Sequence, residues 1–287
     1  MRKKMTPRLV LLFAILATAL IAIGCGGDDD DDDGGTADAT TTTTEEMVDL
    51  GLIEDGTLIV GSDIPFPPFE QGDPPDYDGF DIDLINAVAE RLGLETQIDD
   101  RPFDLILQGG NGRFDLGIAA TTITEEREQE VDFSDPYFLA EQSLLVQADG
   151  DIQSVDDLAG TTVGAQDGTT GETYASDETE AGDVRPFPEI DDAYNALENG
   201  QVDAVINDLP STQAVAADSG GSLEVVEVFE TGELYGIVFP QGAGPLLDAV
   251  NEALQEIKDD GTLDELYMEW FDKEAPESLK SATNEPT

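Results

Sequence analysis

Apolar and polar positions follow two alternating patterns from about residue 56 to the end of the chain. Short apolar runs such as TLIVGSD (57–63) and FDLGIAA (114–120) have the length and composition of buried strands. In FDIDLINAVAERLG (80–93), apolar residues instead recur at helical spacing, which predicts an amphipathic helix. Strands that alternate with helices are typical of an α/β fold with mostly parallel sheets.

The same alternation predicts the remaining elements. Further strands are predicted at 94–100, 143–147, 161–166, 183–187, 203–208, 223–228 and 234–240. Further helices are predicted from residue 103 to the glycines 109 and 110, from Thr170, over 191–198, after Pro210, and at 243–259 and 261–271. Ligands of such sheets bind at the carboxyl ends of the strands, where the unusual polar residues of this chain collect.

The first residues have the pattern of a secretory signal. A basic start is followed by the apolar run LVLLFAILATALIAI (9–23), which is shorter than a membrane span of about 20 residues and is followed by Gly24 and Cys25. We therefore predict a signal peptide over residues 1–24. Cys25, the single cysteine of the chain, resembles the diacylated cysteine of a bacterial lipobox, although Ala22 stands where leucine is usual. The alternative is a plain signal peptide followed by an unrelated cysteine.

Residues 25–50 are predicted to form a tether behind the lipidated cysteine. The segment 26–45 lacks large apolar side chains, so it cannot bury enough surface to offset the entropy of ordering. At about 5–6 Å × √n, some 20–25 such residues span roughly 25–30 Å. The aspartates 28–33 lack the glycine turn and spaced ligands of a calcium loop, so no metal site is expected there. Residues 276–287 are predicted to be a C-terminal tail.

Composition excludes several function classes. The chain has 12 Lys and Arg against 65 Asp and Glu, a formal net charge of −53, so nucleic acid and anionic lipid surfaces are not expected partners. It contains no histidine and one cysteine, which excludes an internal disulfide and histidine-based zinc, triad or general-base chemistry. No cofactor, metal or catalytic residue is predicted, and the chain is not expected to be an enzyme.

The acidity suggests adaptation to concentrated salt, which screens the repulsion among surface charges. We expect the melting temperature of the purified protein to rise between very low and molar salt, as measured by differential scanning calorimetry. Equal heat stability at both salt concentrations would contradict this hypothesis.

One arginine has an unexpected position. In TTITEEREQEVDFSDPY (121–137), Arg127 is the single cation among six acidic residues. Thr124 is predicted to be a helix N-cap, which places Arg127 at the third helical position, where the helix dipole disfavours a cation. Two explanations are open. Arg127 faces a cleft and receives an anion from outside, or it pairs with a neighbour among Glu126, Glu128 and Glu130.

Several motifs together resemble one family. GFDIDLINAVAERL (79–92) matches, position for position, the signature of the extracellular solute-binding proteins of polar amino-acid ABC transporters, family 3. The resemblance extends from about residue 56 to residue 271 and includes GSDIPFPPFE, TTITEEREQEVDFSDPY, GAQDGTTGETYA, VINDLP and GTLDELYMEWF. It implies an α/β, two-lobed periplasmic-binding-protein-like (type II) fold with two hinge strands. The first lobe would comprise residues 51–139 and 236–275, and the second lobe residues 140–235.

The resemblance also implies a function outside the cell. The chain is expected to capture a polar amino acid and deliver it to an ABC permease, as a monomer anchored through Cys25 to the outer face of the cell membrane. In a cell with an outer membrane, that face is the periplasmic side. Three alternatives stay open: binding of another zwitterion such as a compatible solute or an opine, a cyclohexadienyl dehydratase-like enzyme, and a sensory domain. The enzyme is disfavoured because the expected site offers carboxylates but no histidine, and the sensory domain because no kinase or lytic segment is fused.

The resemblance assigns the groups that hold the ligand's backbone. Arg127 occupies the position that binds the α-carboxylate, and its planar fork of donors suits that role. Thr122 contributes its N–H and hydroxyl to the same carboxylate, and Thr170 completes the set from the second lobe. Asp208 pairs with the α-ammonium, which also donates to the main-chain oxygen of Ala120.

Five other positions face the ligand side chain in the family, and here they are Asp63, Phe66, Phe103, Gln166 and Asn207. The two phenylalanines enclose the side chain, and the positions of Gln166 and Asn207 vary with the ligand. A carboxylate at Asp63 favours a guanidinium, ammonium or amide partner. A basic or amide side chain is therefore the favoured ligand.

Structural explanations for the same residues stay open. The phenylalanines can be core residues, and the turn 166–171 can simply cap a helix. Asp208 can be the N-cap of the helix that follows at Pro210. Asp81 and Asp83 are interpreted as charges at a helix N-terminus and not as ligand contacts.

Overall fold

A computed structural model describes residues 49–284, which all belong to one compact unit. The predicted signal peptide, Cys25 and almost all of the tether lie outside the described residues, as do the last three residues of the tail. Within the described part of the chain, no helix is both long enough and apolar enough to cross a membrane.

Short strands and helices alternate along the described chain. The strands are β1 (Thr57–Ser62), β2 (Gln71–Asp73), β3 (Asp76–Asp78), β4 (Glu95–Asp100), β5 (Leu116–Gly117), β6 (Val131–Phe133), β7 (Phe138–Gln147), β8 (Thr162–Gln166), β9 (Asp183–Phe187), β10 (Ala204–Asp208), β11 (Leu223–Tyr235) and β12 (Val238–Pro240). The helices are α1 (Phe80–Leu92), α2 (Phe103–Ile106), α3 (Thr170–Asp177), α4 (Ile190–Glu198), α5 (Leu209–Asp218), α6 (Gly244–Asp259), α7 (Thr262–Phe271) and α8 (Glu277–Lys280). Short 3₁₀ turns lie at Gly109–Gly112, Arg127–Gln129 and Val155–Asp157.

The first of two five-stranded sheets has the strand order β4-β1-β5-β12-β6. In it, β1 runs parallel to β4 and β5, whereas β12 runs antiparallel to β5 and β6. The predicted amphipathic helix α1 packs its apolar face onto this sheet, with Leu84 and Val88 fully buried beside Leu58 and Val60. Gly79 precedes α1 with a φ of 138°, and a methyl group there would collide with the carbonyl oxygen of the residue at position 69.

The second sheet has the order β11-β7-β10-β8-β9. Here β8 runs parallel to β9 and β10, and β7 runs antiparallel to β10 and β11. The prediction of mostly parallel sheets is therefore only half right, since antiparallel pairs occur in both. The antiparallel pairs involve β7 and β12, each of which enters its sheet directly from a strand of the other sheet and not through a helical crossover within one sheet.

The chain passes between the two sheets twice. It leaves the first sheet after β6 and enters the second at β7, then returns between β11 and β12. This arrangement is the two-lobed α/β fold that the resemblance implied. All strands of the second sheet lie within residues 138–235, but the exact lobe boundaries proposed above stay a prediction.

An aromatic cluster surrounds the two crossing segments. The Phe138 ring of β7 lies with its centroid 5.0 Å from that of Phe69, 5.4 Å from that of Tyr235 on β11, and 5.2 Å from that of Tyr267 on α7. These side chains are fully buried. The cluster fixes where the crossing strands leave the first sheet and thereby positions the groups between the sheets.

The segment around Arg127 differs from its prediction. It forms one 3₁₀ turn, Arg127–Gln129, and not an α-helix, so the argument from a helix dipole does not apply to it. The N-cap residue of the turn is Glu126 and not Thr124 as predicted, although the hydroxyl of Thr124 accepts from the main-chain N–H of Arg127 at 3.2 Å. The strand before this segment is also shorter than predicted, covering 116–117 within 114–120, and the hairpin of β2 and β3 was not predicted.

Candidate ligand-binding site

The ten residues predicted to contact a ligand lie around one cavity. The cavity lies at the carboxyl ends of β1, β5, β8 and β10, where ligands of α/β sheets bind. The ten are Asp63, Phe66, Phe103, Ala120, Thr122, Arg127, Gln166, Thr170, Asn207 and Asp208. The lining is completed by Glu70, Ala119 and Thr169. The fold thus brings all ten together, and their contact with a ligand stays a prediction.

The guanidinium of Arg127 points to main-chain oxygens on both sides of the cavity. Nη1 donates to the carbonyl oxygen of Thr122 at 2.7 Å, and Nη2 donates to that of Gly168 at 3.1 Å. Cζ lies 5.4 Å from the ring centroid of Phe103, close enough for a cation–π contact. None of the ion pairs within residues 49–284 involves Arg127, so pairing with a neighbouring glutamate does not explain its position.

The two predicted threonines donate to one carboxylate oxygen. The hydroxyls of Thr122 and Thr170 lie 2.7 and 2.8 Å from Oε2 of Glu233 on β11. Thr122 follows β5 of the first sheet, whereas Thr170 begins α3 beside the second sheet. The two hydroxyl groups that the sequence analysis assigned to a ligand carboxylate therefore converge on a carboxyl group, which here belongs to the protein's own Glu233.

In the turn before α3, the neighbouring residues Thr169 and Thr170 have different roles. Thr169 is the N-cap, because its hydroxyl accepts from the N–H of Glu172 at 3.2 Å. The capping explanation is therefore correct for Thr169. The hydroxyl of Thr170 takes no part in capping and faces the cavity.

Asp208 is buried at the end of β10 with 7% of its surface exposed. Its carboxylate accepts from the hydroxyl of Tyr235 at 2.6 Å and from the side-chain amide of Gln142. Asp208 is the N-cap residue of α5, as the structural explanation predicted, but its side chain makes no capping hydrogen bond, so capping does not account for the carboxylate. Burial, reinforced by Glu233, raises the pKa of Asp208 from its ordinary 3.8 to about 7, while Arg127 lowers it.

Ala120 has a strained backbone that Asp81 supports. Its φ is 44°, in the left-handed region, which costs a non-glycine residue roughly 1–2 kcal/mol. Its N–H donates to Oδ2 of Asp81 at 2.8 Å, and the same oxygen accepts from the hydroxyl of Tyr137 at 2.8 Å. Asp81 is fully buried and does more than provide a charge at a helix start. It holds the main chain whose carbonyl oxygen was predicted to face the ligand ammonium.

The side-chain end of the cavity is polar and acidic. Nε2 of Gln166 donates to Oδ2 of Asp63 at 2.8 Å, a bond that joins the two lobes. Burial, reinforced by the charges of Glu189 and Asp100, raises the pKa of Asp63 from its ordinary 3.8 to about 7, while the hydrogen bond from Gln166 lowers it. Asn207 donates to the hydroxyl of Tyr194 at 2.8 Å, which fixes its amide group.

Phe66 and Phe103 border the same end of the cavity. Each is 8% exposed and also packs within a hydrophobic cluster, which for Phe66 includes residues of both lobes. The two phenylalanines are therefore core residues and also form part of the cavity wall.

Besides Ala119 and Thr169, four residues at or beside the cavity were not among the predicted contacts: Glu70, Gln142, Glu233 and Tyr235. Glu70 closes the motif GSDIPFPPFE, but a single glutamate there has no pattern that marks it as buried. The other three lie on the crossing strands β7 and β11, and antiparallel pairing with the neighbouring strands brings them to the site. Only the tertiary fold reveals them.

A family model described as bacterial extracellular solute-binding proteins, family 3, matches residues 58–273 of the chain. The chain belongs to this family. The match covers all strands of both sheets except the first residue of β1, and it agrees with the position of the cavity between the lobes.

Individual members of the family are similar over most of the chain. The L-cystine-binding protein TcyJ of Escherichia coli strain K12 is 33% identical over 236 residues, which cover 79% of this chain and 88% of that protein. The structure of an ancestral arginine-binding protein bound to glutamine superimposes with a TM-score of 0.72 at 41% identity, covering 76% of this chain and 99% of that chain. An ancestral amino acid-binding protein, described as a precursor of cyclohexadienyl dehydratase, gives a TM-score of 0.69 at 38% identity, with 75% and 96% coverage.

Proposed function

We propose that the protein is the extracytoplasmic substrate-binding lipoprotein of an ABC importer and that its ligand is a polar amino acid with a basic or amide side chain. The observation that carries this proposal is the pair of opposite charges at one cavity, Arg127 from the first lobe and Asp208 from the second. A free amino acid carries a carboxylate and an ammonium on one carbon, so it can pair with both side chains at once. The similarity to binders of cystine and of arginine or glutamine supports an amino acid.

Each part of the ligand has a proposed partner. The guanidinium of Arg127 and the hydroxyls of Thr122 and Thr170 bind the α-carboxylate. The carboxylate of Asp208 and the carbonyl oxygen of Ala120 bind the α-ammonium. The side chain lies between the two phenylalanines, with its polar end toward a group formed by Asp63, Gln166 and Asn207.

The lobes are proposed to close over the ligand by bending at the two crossing segments. The ligand first docks on Arg127 and Phe66 of the first lobe, and closure then brings Asp208 and Thr170 onto it. Contacts that would stabilise the closed arrangement already join the lobes, namely the hydrogen bonds of Gly168 with Arg127 and of Gln166 with Asp63.

Replacing Glu233 with alanine should shift the population of closed molecules toward open ones. The change removes an acceptor that holds hydroxyls from both lobes, and charge-assisted hydrogen bonds contribute about 1.5–3 kcal/mol each before screening by solvent. Distances between a spin label in each lobe, measured by double electron–electron resonance, should lengthen. The exposed Glu230→Ala exchange on the same strand serves as control, and identical distance distributions for both variants would show that Glu233 does not hold the lobes together.

The lipid anchor is proposed from the sequence around Cys25. Export with the signal peptide and diacylation of the cysteine would leave the binding lobes on a tether at the outer face of the membrane. Metabolic labelling with a radioactive fatty acid tests this proposal. The native protein should incorporate label and sediment with membranes, whereas Cys25→Ala should do neither, and an unlabelled native protein would contradict the anchor.

A thermal-shift screen of the twenty amino acids, with compatible solutes and opines added, tests the ligand class. Binding of the native ligand raises the melting temperature with its concentration. We expect shifts with basic or amide amino acids, followed by calorimetric titration of each hit. A shift with a compatible solute and with no amino acid would contradict the proposed ligand.

An enzymatic function on this fold is the second candidate. The observation in its favour is that Asp63 and Asp208 have pKa values of about 7, in the range useful for general acid–base chemistry. The similar ancestral protein described as a dehydratase precursor points the same way. Incubation with prephenate or arogenate, followed by product analysis, separates the candidates, and we expect no product.

A further inference from the structure

Glu233 on β11 engages the two hydroxyl groups that the proposed function assigns to the ligand carboxylate. Its Oε2 accepts from the hydroxyl of Thr122 at 2.7 Å and from that of Thr170 at 2.8 Å. A carboxylate only accepts, and each hydroxyl has a single proton to donate. The hydroxyl oxygen of Thr170 also accepts from the side-chain amide of Gln142 at 3.2 Å, which leaves its one proton for Glu233. A ligand carboxylate can therefore bind these hydroxyls only if Glu233 releases them.

The charge of Glu233 also acts on the arginine proposed to bind the ligand. Burial lowers the pKa of Arg127, whereas the charges of Asp208 and Glu233 raise it. A ligand carboxylate would act on the guanidinium in the same way. Two carboxylates side by side at this half-buried place would repel each other. Glu233 and the ligand therefore compete through charge as well as through hydrogen bonds.

A second groove between the lobes gives the side chain of Glu233 a place to move to. Glu233 lines this groove, together with Leu107 of the first lobe and Tyr174 of the second. Arg127 lines both the groove and the ligand cavity, so the two spaces adjoin. The regular pairing of β11 with β7 is interrupted just before Glu233, over the exposed residues 230–232. This interruption allows the main chain before Glu233 to adjust without breaking the ladder of the sheet.

We propose that Glu233 is a built-in competitor of the ligand. Its carboxylate occupies the place of the ligand α-carboxylate and moves into the adjoining groove when the ligand binds. The inference rests on the proposed function of the same site. It gives Glu233 a direct effect on affinity, because the free energy of its two hydrogen bonds is lost from the free energy of ligand binding. It also implies selectivity, since only a ligand that carries a carboxylate has to displace it.

Calorimetric titration of Glu233→Ala with arginine and with glutamine tests the competition. Without the competitor, the variant should bind at least about fivefold more tightly than the native protein. Agmatine, which is arginine without the carboxylate, should bind the native protein and the variant within about threefold of each other. Amino-acid affinity of the variant that equals or falls below that of the native protein would overturn the inference and leave amino-acid binding intact. An equal gain for agmatine would also overturn it.

Glu126→Ala is the matched control. Glu126 is exposed, lines the same groove, and its charge also acts on Arg127. The hydroxyls of Thr122 and Thr170 donate to Glu233 and not to Glu126. The control should therefore change the affinity for the two amino acids by less than about twofold. A gain as large as that of Glu233→Ala would show that charge alone is responsible and would overturn the competition for hydroxyls.

Glu233→Gln decides the matter if the alanine variant does not fold. Glutamine keeps the shape of the side chain and loses its charge, so it is a weaker acceptor for the two hydroxyls. Affinity for arginine and glutamine should again rise, by at least about twofold, and agmatine should bind as it does to the native protein. Unchanged or weaker binding of both amino acids would overturn the inference.

A further measurement needs no amino acid. In Glu233→Ala, a small external carboxylate should take the place of the missing side chain between Thr122 and Thr170. Sodium acetate at about 100 mM and neutral pH, compared with sodium chloride of equal ionic strength, should raise the melting temperature of this variant. The native protein and Glu126→Ala should show no such difference, and an equal response of all three proteins would overturn the inference. If the native protein binds neither arginine nor glutamine, the proposed ligand class fails, and the response to acetate still decides whether Glu233 occupies a carboxylate site.

Discussion

Replacing Arg127 with alanine is expected to weaken binding of the amino-acid ligand by at least about 2–3 kcal/mol, roughly 30- to 150-fold in Kd. The variant leaves a carboxylate in a closed site without its charge partner and without the two parallel donors of the guanidinium. The donors of Arg127 already point to the carbonyl oxygens of Thr122 and Gly168, so the side chain is held in place before the anion arrives. Calorimetric titration with the ligand identified by the screen measures the effect.

Two controls separate this role from a general effect of charge. Arg113→Ala removes an equal charge from an exposed position of the same lobe and should change Kd by less than about twofold. The decarboxylated analogue of the ligand, agmatine in the case of arginine, lacks the group that Arg127 binds. It should therefore bind the native protein and the Arg127 variant with similar affinity. Unchanged affinity of the variant for the complete amino acid would remove Arg127 from the site.

Replacing Asp208 with asparagine should have an effect of similar or larger size. The variant would leave a buried ammonium without a counter-charge, a loss of about 3–5 kcal/mol when one member of such a pair is removed. Because the pKa of Asp208 is about 7 in the protein and the ammonium lowers it in the complex, a proton must leave on binding. Affinity should thus be highest above pH 7 and fall by up to about tenfold per pH unit below it.

The pH profile of the variant provides the control. For Asp208→Asn, the slope of log Kd against pH should be shallower than that of the native protein by about one unit. Asp63, whose pKa is also about 7, accounts for the remaining pH dependence. Titrations between about pH 5 and pH 8 measure both slopes. Equal slopes for the native protein and the variant would show that Asp208 does not pair with the ammonium.

The carboxyl group of Asp208 should give the folding stability a pH dependence opposite to that of the ligand affinity. Its pKa in the folded chain, about 7, lies above its ordinary value of 3.8, so the ionised form destabilises the fold above pH 7. The penalty disappears as the pH falls from 7 toward 4, where the folded chain binds a proton that the unfolded chain does not. Stability of the protein and affinity for its ligand are therefore expected to respond to acid with opposite signs.

The motifs predicted ten residues that the fold brings around one cavity, whereas the hydrophobic pattern missed some of the local structure. The ten predicted residues lie around one cavity because they lie near the carboxyl ends of strands or at the first residue of a helical turn, and the carboxyl ends of β1, β5, β8 and β10 face each other. The segment after Thr124 shows that the local sequence alone does not determine where a helix forms. Its glutamates and cap suggest a helix, but Arg127 bonds back to the carbonyl oxygen of Thr122, and the chain makes a single 3₁₀ turn.

What the sequence does not reveal is burial that depends on distant strands. Glu233 lies in a partly exposed stretch of β11, and only the approach of Thr122 and Thr170 from the two lobes makes it a central acceptor. Glu70 likewise has an unremarkable local sequence, and only the folded chain buries it completely. Both residues add carboxyl groups to the site that the motifs do not mark.

A crystal structure of the protein with its amino-acid ligand tests the central claim most directly. The account predicts that the ligand lies in the cavity between the lobes, with its carboxylate within about 3.2 Å of the guanidinium nitrogens of Arg127 and its ammonium within about 3.2 Å of the carboxylate of Asp208. A ligand bound elsewhere, or one in this cavity with its backbone groups turned away from both side chains, would contradict it.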